Sequence, residues 1–281
     1  MKARKTLSFL IGMLLIFLAC ASAQELTYTY ENGTLTGPQT ISVNGYQNIL
    51  FVNNSDMELD VTFAKLHEGA TLAELETADK AFMATIEGEG SPDAGAKMGT
   101  MISLADFIGG VHPVSHTQAS AYLKLEPGNY IVNASTGGGG DPYMPFYLEV
   151  AVTEGPSAEA PSADFNLHMS DFHFDFPDTM PAGKQVWQIS DTGSQPHMAL
   201  VWKLMEGKTA EDVTTWMSDF AGPPPVEFEG GGLIQGITAG QTFYIPIELS
   251  SGNYVVVCPL PNLGTGEPHF ADGMIATFKV E

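Results

Sequence analysis

Residues 252–274 have the sequence GNYVVVCPLPNLGTGEPHFADGM, in which a short β-branched run gives way to a stretch rich in proline and glycine. The run that ends at Cys258 is typical of a strand, and the residues after it favour a loop. His269 and Met274 follow in this loop and give the pattern C-x10-H-x4-M. A thiol, an imidazole and a thioether therefore follow one predicted strand, and all three are side chains that bind transition metals.

A histidine elsewhere in the chain completes this set. His197 follows Gln195-Pro196 and directly precedes a predicted strand over Met198–Leu204. Two imidazoles, a thiolate and a weak thioether favour copper in a trigonal site with a long axial bond, because the thiolate suits Cu(I) and the imidazoles suit Cu(II). A bound metal would also lower the pKa of Cys258 and explain an unpaired thiol. The alternative is that Cys258 is a buried core thiol and the other three residues are incidental.

The second half of the chain resembles the cupredoxins, the blue copper family of small Greek-key β-sandwiches. Residues 252–258 resemble the strand that leads into the family's ligand loop, and residues 269–274 resemble the end of that loop. The resemblance covers residues 164–281 and implies one type 1 copper per chain. The implied ligands are His197, Cys258 and His269 in the equatorial positions and Met274 in the axial position.

The same resemblance implies a path for electrons and one departure from the family. His269 is expected at the protein surface, where its imidazole would pass electrons to a redox partner. The segment between Cys258 and His269 is longer than in the simplest members of the family and contains three prolines and two glycines. This longer loop bears on how far the copper edge is exposed and on the bond to Met274.

The chain also repeats itself. Residues 66–71 match residues 204–209, and residues 128–132 match residues 252–256 in the same order, so duplication of one domain is the simplest account. Carried across this alignment, His197 falls opposite Leu59 and Cys258 falls opposite Ala134. The first half is therefore expected to be a degenerate cupredoxin-like domain without a copper site.

These observations predict an all-β chain of two tandem cupredoxin-like Greek-key β-sandwiches, each with one short helix insertion. Thr71 and Thr209 are predicted to cap the two helices, because each is followed three residues later by an acidic side chain. An Ala-, Pro-, Ser- and Glu-rich segment separates the halves and predicts an extended linker. The predicted divisions are a signal peptide at 1–23, a first domain at 24–152, a linker at 153–163 and a copper domain at 164–281.

The N-terminus predicts export. A basic start, an apolar run over Leu7–Leu18 and the small residues Ala21-Ser22-Ala23 are typical of a secretory signal. Cleavage near Ala23 would leave an extracytoplasmic protein, whether periplasmic, cell-surface or secreted. Leu18-Ala19-Cys20 also resembles a lipoprotein processing site, so a lipid anchor at Cys20 is the alternative. No later segment is apolar for long enough to predict a transmembrane span.

Charge and cysteine content exclude other classes of protein. The chain has 281 residues and a formal net charge of −22, so a nucleic-acid partner is not expected, because phosphate backbones would be repelled. The chain has 2 cysteines, too few for a disulfide scaffold.

The predicted function is one-electron transfer with an unidentified redox protein as the partner, and no enzyme activity is expected. A copper-binding or copper-delivery protein without a redox partner is the alternative. A two-domain copper oxidase or nitrite reductase is less favoured, because Cys258 is flanked by Val257 and Pro259 rather than by histidine, and no His-x-His pair occurs. His112 and His116 are predicted to lie in a surface loop.

Overall fold

A computed structural model describes residues 23–86, 92–136, 143–227 and 233–281, and β-strands dominate these residues. The predicted all-β class is confirmed. Nearly all of the predicted signal peptide, Cys20 included, lies outside the described residues. Among the residues that are described, no helix combines the length and the apolar composition needed to cross a bilayer.

The first half is built from two packed sheets. Its strands are β1 (Glu25–Glu31), β2 (Thr34–Thr36), β3 (Thr40–Asn53), β4 (Asp60–Leu66), β5 (Ala105–Val111), β6 (Gln118–Leu125), β7 (Gly128–Thr136) and β8 (Met144–Ala158). Strands β1, β2, β3 and β6 pair in one layer, and β4, β5, β7 and β8 pair in the other. The helices α1 (Leu72–Ile86) and α2 (Ala94–Leu104) connect β4 to β5.

The second half has the same plan. Its strands are β9 (Phe165–Ser170), β10 (His173–Asp175), β11 (Thr179–Met180), β12 (Gly183–Asp191), β13 (His197–Leu204), β14 (Val226–Glu227), β15 (Leu233–Ile237), β16 (Thr242–Leu249), β17 (Gly252–Val257) and β18 (Ile275–Val280). Strands β9, β10, β12 and β16 form one layer, and the other strands of this half form the second. One helix, α3 (Ala210–Asp219), follows β13.

Strand pairing repeats from one half to the other. Strand β1 runs parallel to β3 as β9 runs parallel to β12, and β4 lies between β5 and β7 as β13 lies between β15 and β17. Lys65 pairs with Tyr130 in the first half, and Lys203 pairs with Tyr254 in the second. Both tyrosine hydroxyls donate to the carbonyl four residues earlier. The register therefore agrees with the repeat that the sequence predicts.

The first half departs from the predicted single helix. It contains α1 and also α2, which has no counterpart among the described residues of the second half. The sequence of α2 begins with Ala-Gly-Ala and holds a second glycine at position 99, a composition that disfavours a helix when read alone. Packing overrides this low propensity, because Met98 and Met101 are buried against Phe82 of α1. Both predicted caps are present, with Glu74 and Asp212 each accepting hydrogen bonds from the backbone and hydroxyl of the threonine three residues before it.

Strand β8 continues into the segment predicted as a linker. Residues 151–158 pair with the N-terminal part of β3, with a register shift near Ser42. Strand β3 has 14 residues and would otherwise leave backbone groups without partners on this edge. Ser42 also donates a hydrogen bond to the carbonyl of Glu154. The first six residues of the predicted linker are thus part of the sheet.

The two halves contact each other through paired strands and a shared core. Ile108 of β5 pairs with Ile237 of β15, and Tyr122 of β6 pairs with Tyr244 of β16. Gly109 lies directly against Phe243, and a Cβ atom there would come within 2.7 Å of that ring. Buried residues of both halves accordingly form one continuous hydrophobic cluster.

Candidate metal centre

Three of the four predicted ligands lie at one end of adjacent strands. His197 opens β13, Cys258 follows β17 directly, and Met274 directly precedes β18. Strand β17 lies between β13 and β18, so antiparallel pairing brings these three positions to the same edge of the sheet. The Cys258 amide donates to the Met274 carbonyl at 3.1 Å, which continues the β17–β18 ladder to the two residues.

His269 reaches this edge because its loop folds back on its own start. The His269 amide donates to the Leu260 carbonyl at 2.8 Å, and the Phe270 amide donates to the Cys258 carbonyl at 2.9 Å. The Met274 amide then donates to the His269 carbonyl at 2.9 Å. These bonds fix the backbone of all three residues of the C-x10-H-x4-M pattern relative to one another.

The sulfur of Cys258 and a nitrogen of His269 are close enough to share a metal ion. Cys258 Sγ lies 3.4 Å from His269 Nδ1. Two ligands bound to one tetrahedral metal through bonds of about 2.3 Å to sulfur and 2.0 Å to nitrogen stand about 3.5 Å apart. Cys258 is fully buried, and burial raises the pKa of its thiol to about 12. The metal-free protein therefore holds a protonated thiol, which a metal ion would have to deprotonate.

His269 is fully buried, which corrects the expectation that it lies at the surface. Gln195 Oε1 lies 3.1 Å from His269 Nε2, and the ring of Phe172 meets the imidazole edge-on with centroids 5.3 Å apart. Burial, reinforced by the neighbouring His197, lowers the pKa of His269 to about 4. The imidazole is thus neutral at pH 7, which is the form that binds a metal.

His197 is also fully buried, and its ring centroid lies 4.9 Å from that of His269. Its Nδ1 donates to Asp191 Oδ1 at 3.0 Å, because a buried carboxylate can only accept. The other ring nitrogen, Nε2, is buried without a hydrogen-bond partner. A carboxylate that orients a histidine and leaves its other nitrogen free is the arrangement found behind many metal-bound histidines.

A two-residue turn between β9 and β10 covers both histidines. Asp171 Oδ1 lies 3.7 Å from His197 Nε2, and the next residue, Phe172, covers His269. Phe172 has φ 62°, a left-handed conformation that is strained for a bulky side chain. The corresponding turn of the first half is Asn32-Gly33, and Gly33 adopts φ 76°. The second half thus places an aromatic ring, at a conformational cost, where the first half has glycine.

The chemistry of the donor set fits copper. Within the described residues, no three His, Cys, Asp or Glu side chains already converge as a complete set of ligands. The orphaned Nε2 of His197 and the close pair of Cys258 and His269 supply two imidazoles and a thiol. Met274 is fully buried, and its backbone is hydrogen-bonded to those of Cys258 and His269, so a thioether is available at the same end of the sheet. This combination of soft sulfur and imidazole ligands is the one that copper prefers.

The corresponding positions of the first half have become core. Leu59 and Ala134 are both fully buried in the shared hydrophobic cluster. His112 and His116 lie apart from this site: His112 Nδ1 bonds Asp60 Oδ1 at 2.9 Å, and His116 is exposed and bonds Asp56. Both histidines lie in the loop between β5 and β6, as predicted, with His116 exposed and His112 partly exposed. Asp60 beside His112 also accepts a hydrogen bond from Gln235 of the second half.

Sequence reasoning missed the residues that surround the ligands. Asp191, Gln195 and Phe172 each contact a predicted ligand histidine, and none was predicted to do so. Gln195 and His197 are separated by Pro196, which was a usable signal that both side chains belong to one rigid turn. Asp191 and Phe172 come from other strands, and only the fold brings them to the site.

Comparisons with known proteins find copper proteins among solved structures. The chain is similar to reduced auracyanin from Roseiflexus castenholzii, with 21% identity over 41% of this chain and 94% of that one and a TM-score of 0.28. It is similar to auracyanin A, a "blue" copper protein from Chloroflexus aurantiacus, with 16% identity, coverage of 47% and 100%, and a TM-score of 0.29. A copper-containing nitrite reductase from Thermus scotoductus matches with 9% identity, coverage of 92% and 62%, and a TM-score of 0.25. No family model and no curated protein matches.

Proposed function

We propose that this chain is an exported one-electron carrier that holds a single type 1 copper in its second half. The ligands are His197, Cys258 and His269, with Met274 as the weak axial ligand. The observation that carries this proposal is the buried Cys258–His269 pair at 3.4 Å, beside a histidine whose second nitrogen has no partner. In the proposed state the copper supplies the one-electron redox chemistry, and the protein residues hold, orient and cover it.

The surroundings of the site support electron transfer rather than catalysis on a substrate. Four protein ligands would fill the copper, whereas catalytic metal sites normally keep one position open. All four residues are fully buried, and Phe172 and Gln195 cover His269, so water and substrates are kept away from the site. A buried site with fixed ligands suits a copper ion that is oxidised and reduced without exchanging its ligands.

The visible spectrum of the purified protein with Cu(II) tests this proposal. Intense absorption towards the red end of the spectrum is expected, because a short copper–thiolate bond produces it. Cys258→Ser should abolish the colour, because the proposed mature chain, which begins near Gln24, has no other thiol. Met274→Leu should keep the colour and shift the reduction potential, since the axial ligand tunes the site. A colourless Cu(II) complex, or colour that survives Cys258→Ser, would contradict the assignment.

Three further measurements separate this function from the other candidates. The electron carrier should bind one copper per chain, be reduced reversibly by small donors and retain its copper throughout. A delivery protein would release copper on reduction. Steady consumption of oxygen or nitrite by the copper-loaded chain, lost in His112→Ala or His116→Ala, would indicate an enzyme with a second site. Recovery of the chain outside the cytoplasm, beginning near Gln24, tests export.

A further inference from the structure

The loop between Cys258 and His269 lies against the helices of the first half. Leu260 and Leu263 pack onto the buried cluster formed by Ala78, Phe82, Met98 and Met101 of α1 and α2. Leu260 and Leu263 are the two leucines of the predicted ligand loop between Cys258 and His269. The longer loop noted in the sequence is therefore supported by the other half of the protein.

Backbone contacts between α2 and the loop are tight. A Cβ atom on Gly95 would come within 2.3 Å of the Asn262 carbonyl oxygen and 2.9 Å of the Leu263 carbonyl. On the loop side, a Cβ atom on Gly266 would come within 2.7 Å of the Pro92 carbonyl oxygen. Each side of this contact thus has a glycine at the point where the other backbone approaches. No larger residue fits at either position without moving one backbone.

The same loop is connected inward to a predicted copper ligand. The Leu263 amide donates to Gln195 Oε1 at 2.9 Å, and this oxygen lies 3.1 Å from His269 Nε2. Gln195 is almost fully buried, so neither hydrogen bond competes with bulk water. A path of direct contacts therefore runs from Gly95 through Leu263 and Gln195 to His269.

Comparison of the two halves shows which element is specific to this role. Helix α3 packs on its own half, where Val213 and Met217 meet Leu200 and Val257. The first half contains α1 at the equivalent place and also the additional helix α2. Helix α2 is thus the element that the repeat does not explain, and it is the one that touches the ligand loop through Gly95.

We propose that α1 and α2 of the copper-free half form a clamp that holds the ligand loop and, through Gln195, positions His269. The first half would then contribute to the copper site without supplying a ligand. Gly95, Leu263 and Gln195 are positioning residues in this proposal. The effect of the clamp on copper binding rests on the proposed function, whereas the holding of the loop by α1 and α2 does not.

Gly95→Ala tests the clamp, with Gly99→Ala as its matched control. Both substitutions add one methyl group to α2, but no atom lies within 4 Å of a Cβ atom at Gly99. The first measurement uses the metal-free chain with Cys20→Ser, in which Cys258 is the single thiol. Gly95→Ala should speed modification of Cys258 by a thiol reagent by about tenfold or more, because overpacking favours the open loop. Gly99→Ala should leave the rate unchanged.

The second measurement uses the copper-loaded chain. Gly95→Ala should shift the copper absorption band and speed copper loss to a chelator by about tenfold, and Gly99→Ala should do neither. Leu263→Ala removes packing instead of adding a clash, and it should also speed both the modification of Cys258 and the loss of copper to a chelator. It is the test variant if Gly95→Ala does not fold. Equal Cys258 reactivity in Gly95→Ala, Leu263→Ala and the unaltered chain would overturn the clamp. Faster thiol modification in a chain that binds no copper would support the clamp and contradict the proposed function instead.

Discussion

Gly193 offers a direct test of whether His197 is a ligand. A Cβ atom at this position would come within 2.6 Å of His197 Cε1 and 2.5 Å of Asp171 Oδ1. Both distances are too short, so in Gly193→Ala the imidazole and the carboxylate must each move away from the new methyl group unless the backbone at residue 193 shifts. The favourable separation of two carbon atoms is about 3.5–4.0 Å, so the ring must move by about 1 Å if the backbone keeps its place.

The expected size of the effect follows from this overlap. Overpacking of a buried site costs about 1–3 kcal/mol, and about 1.4 kcal/mol corresponds to a tenfold change in a binding constant. We expect Gly193→Ala to lower copper affinity by about 10- to 100-fold, because the displaced ring can no longer point Nε2 at the metal. The metal-free chain should lose about 1–3 kcal/mol of unfolding free energy from the same overlap.

The assay is competition for copper against a chelator, together with urea unfolding of the metal-free chain. Gly236→Ala is the matched control, because it adds a methyl group beside the same strand with its nearest neighbour at 3.6 Å. Gly236→Ala should change the free energy of copper binding and the free energy of unfolding by less than about 0.5 kcal/mol each. Adding Asp171→Ala to Gly193→Ala shows whether the carboxylate had absorbed part of the overlap. Unchanged copper affinity in a Gly193→Ala chain that is measurably destabilised would refute the assignment of His197 as a ligand.

Two other variants test the cover of the site and the junction of the halves. Phe172→Gly should speed reduction of the copper by small donors severalfold, because it uncovers His269. Phe220 directly follows α3 and has a similar left-handed conformation at φ 50°, so Phe220→Gly is the control and should leave the rate of reduction unchanged. Burial lowers the pKa of His112, but the carboxylates of Asp60 and Glu58 together outweigh this and leave the pKa above its ordinary value of 6.5. In urea unfolding at pH 6, the unaltered chain should therefore be more stable than His112→Asn. This difference in unfolding free energy should be lost as the pH rises through the raised pKa of His112. A difference that grows with pH would contradict this reasoning.

The sequence predicts the fold class and the place of the candidate site because both depend on local patterns. Thr71 and Thr209 are each followed three residues later by an acidic side chain, and both cap a helix as this local pattern predicts. The repeat alignment placed Leu59 and Ala134 opposite two predicted ligands, and the strand register gives the same correspondence.

What the sequence does not predict depends on contacts between distant segments. The burial of His269 follows from Phe172 and Gln195, which lie 97 and 74 residues before it in the chain. Helix α2 is stabilised by packing on Phe82 rather than by its own composition. The pairing of residues 153–158 arises because β3 is long enough to need another partner at its start. Periodicity and propensity carry no information about such contacts.

The strand pairing across the junction has a consequence for the history of the duplication. Separating the halves would strip β5 of its neighbour β15 and expose Phe243 where it lies on Gly109. Bare strand edges beside exposed aromatic rings recruit other chains, so an isolated half should aggregate. A gene that lost either copy would encode such a fragment. A first half without metal ligands would thus still be needed to cover the strand edge of its neighbour.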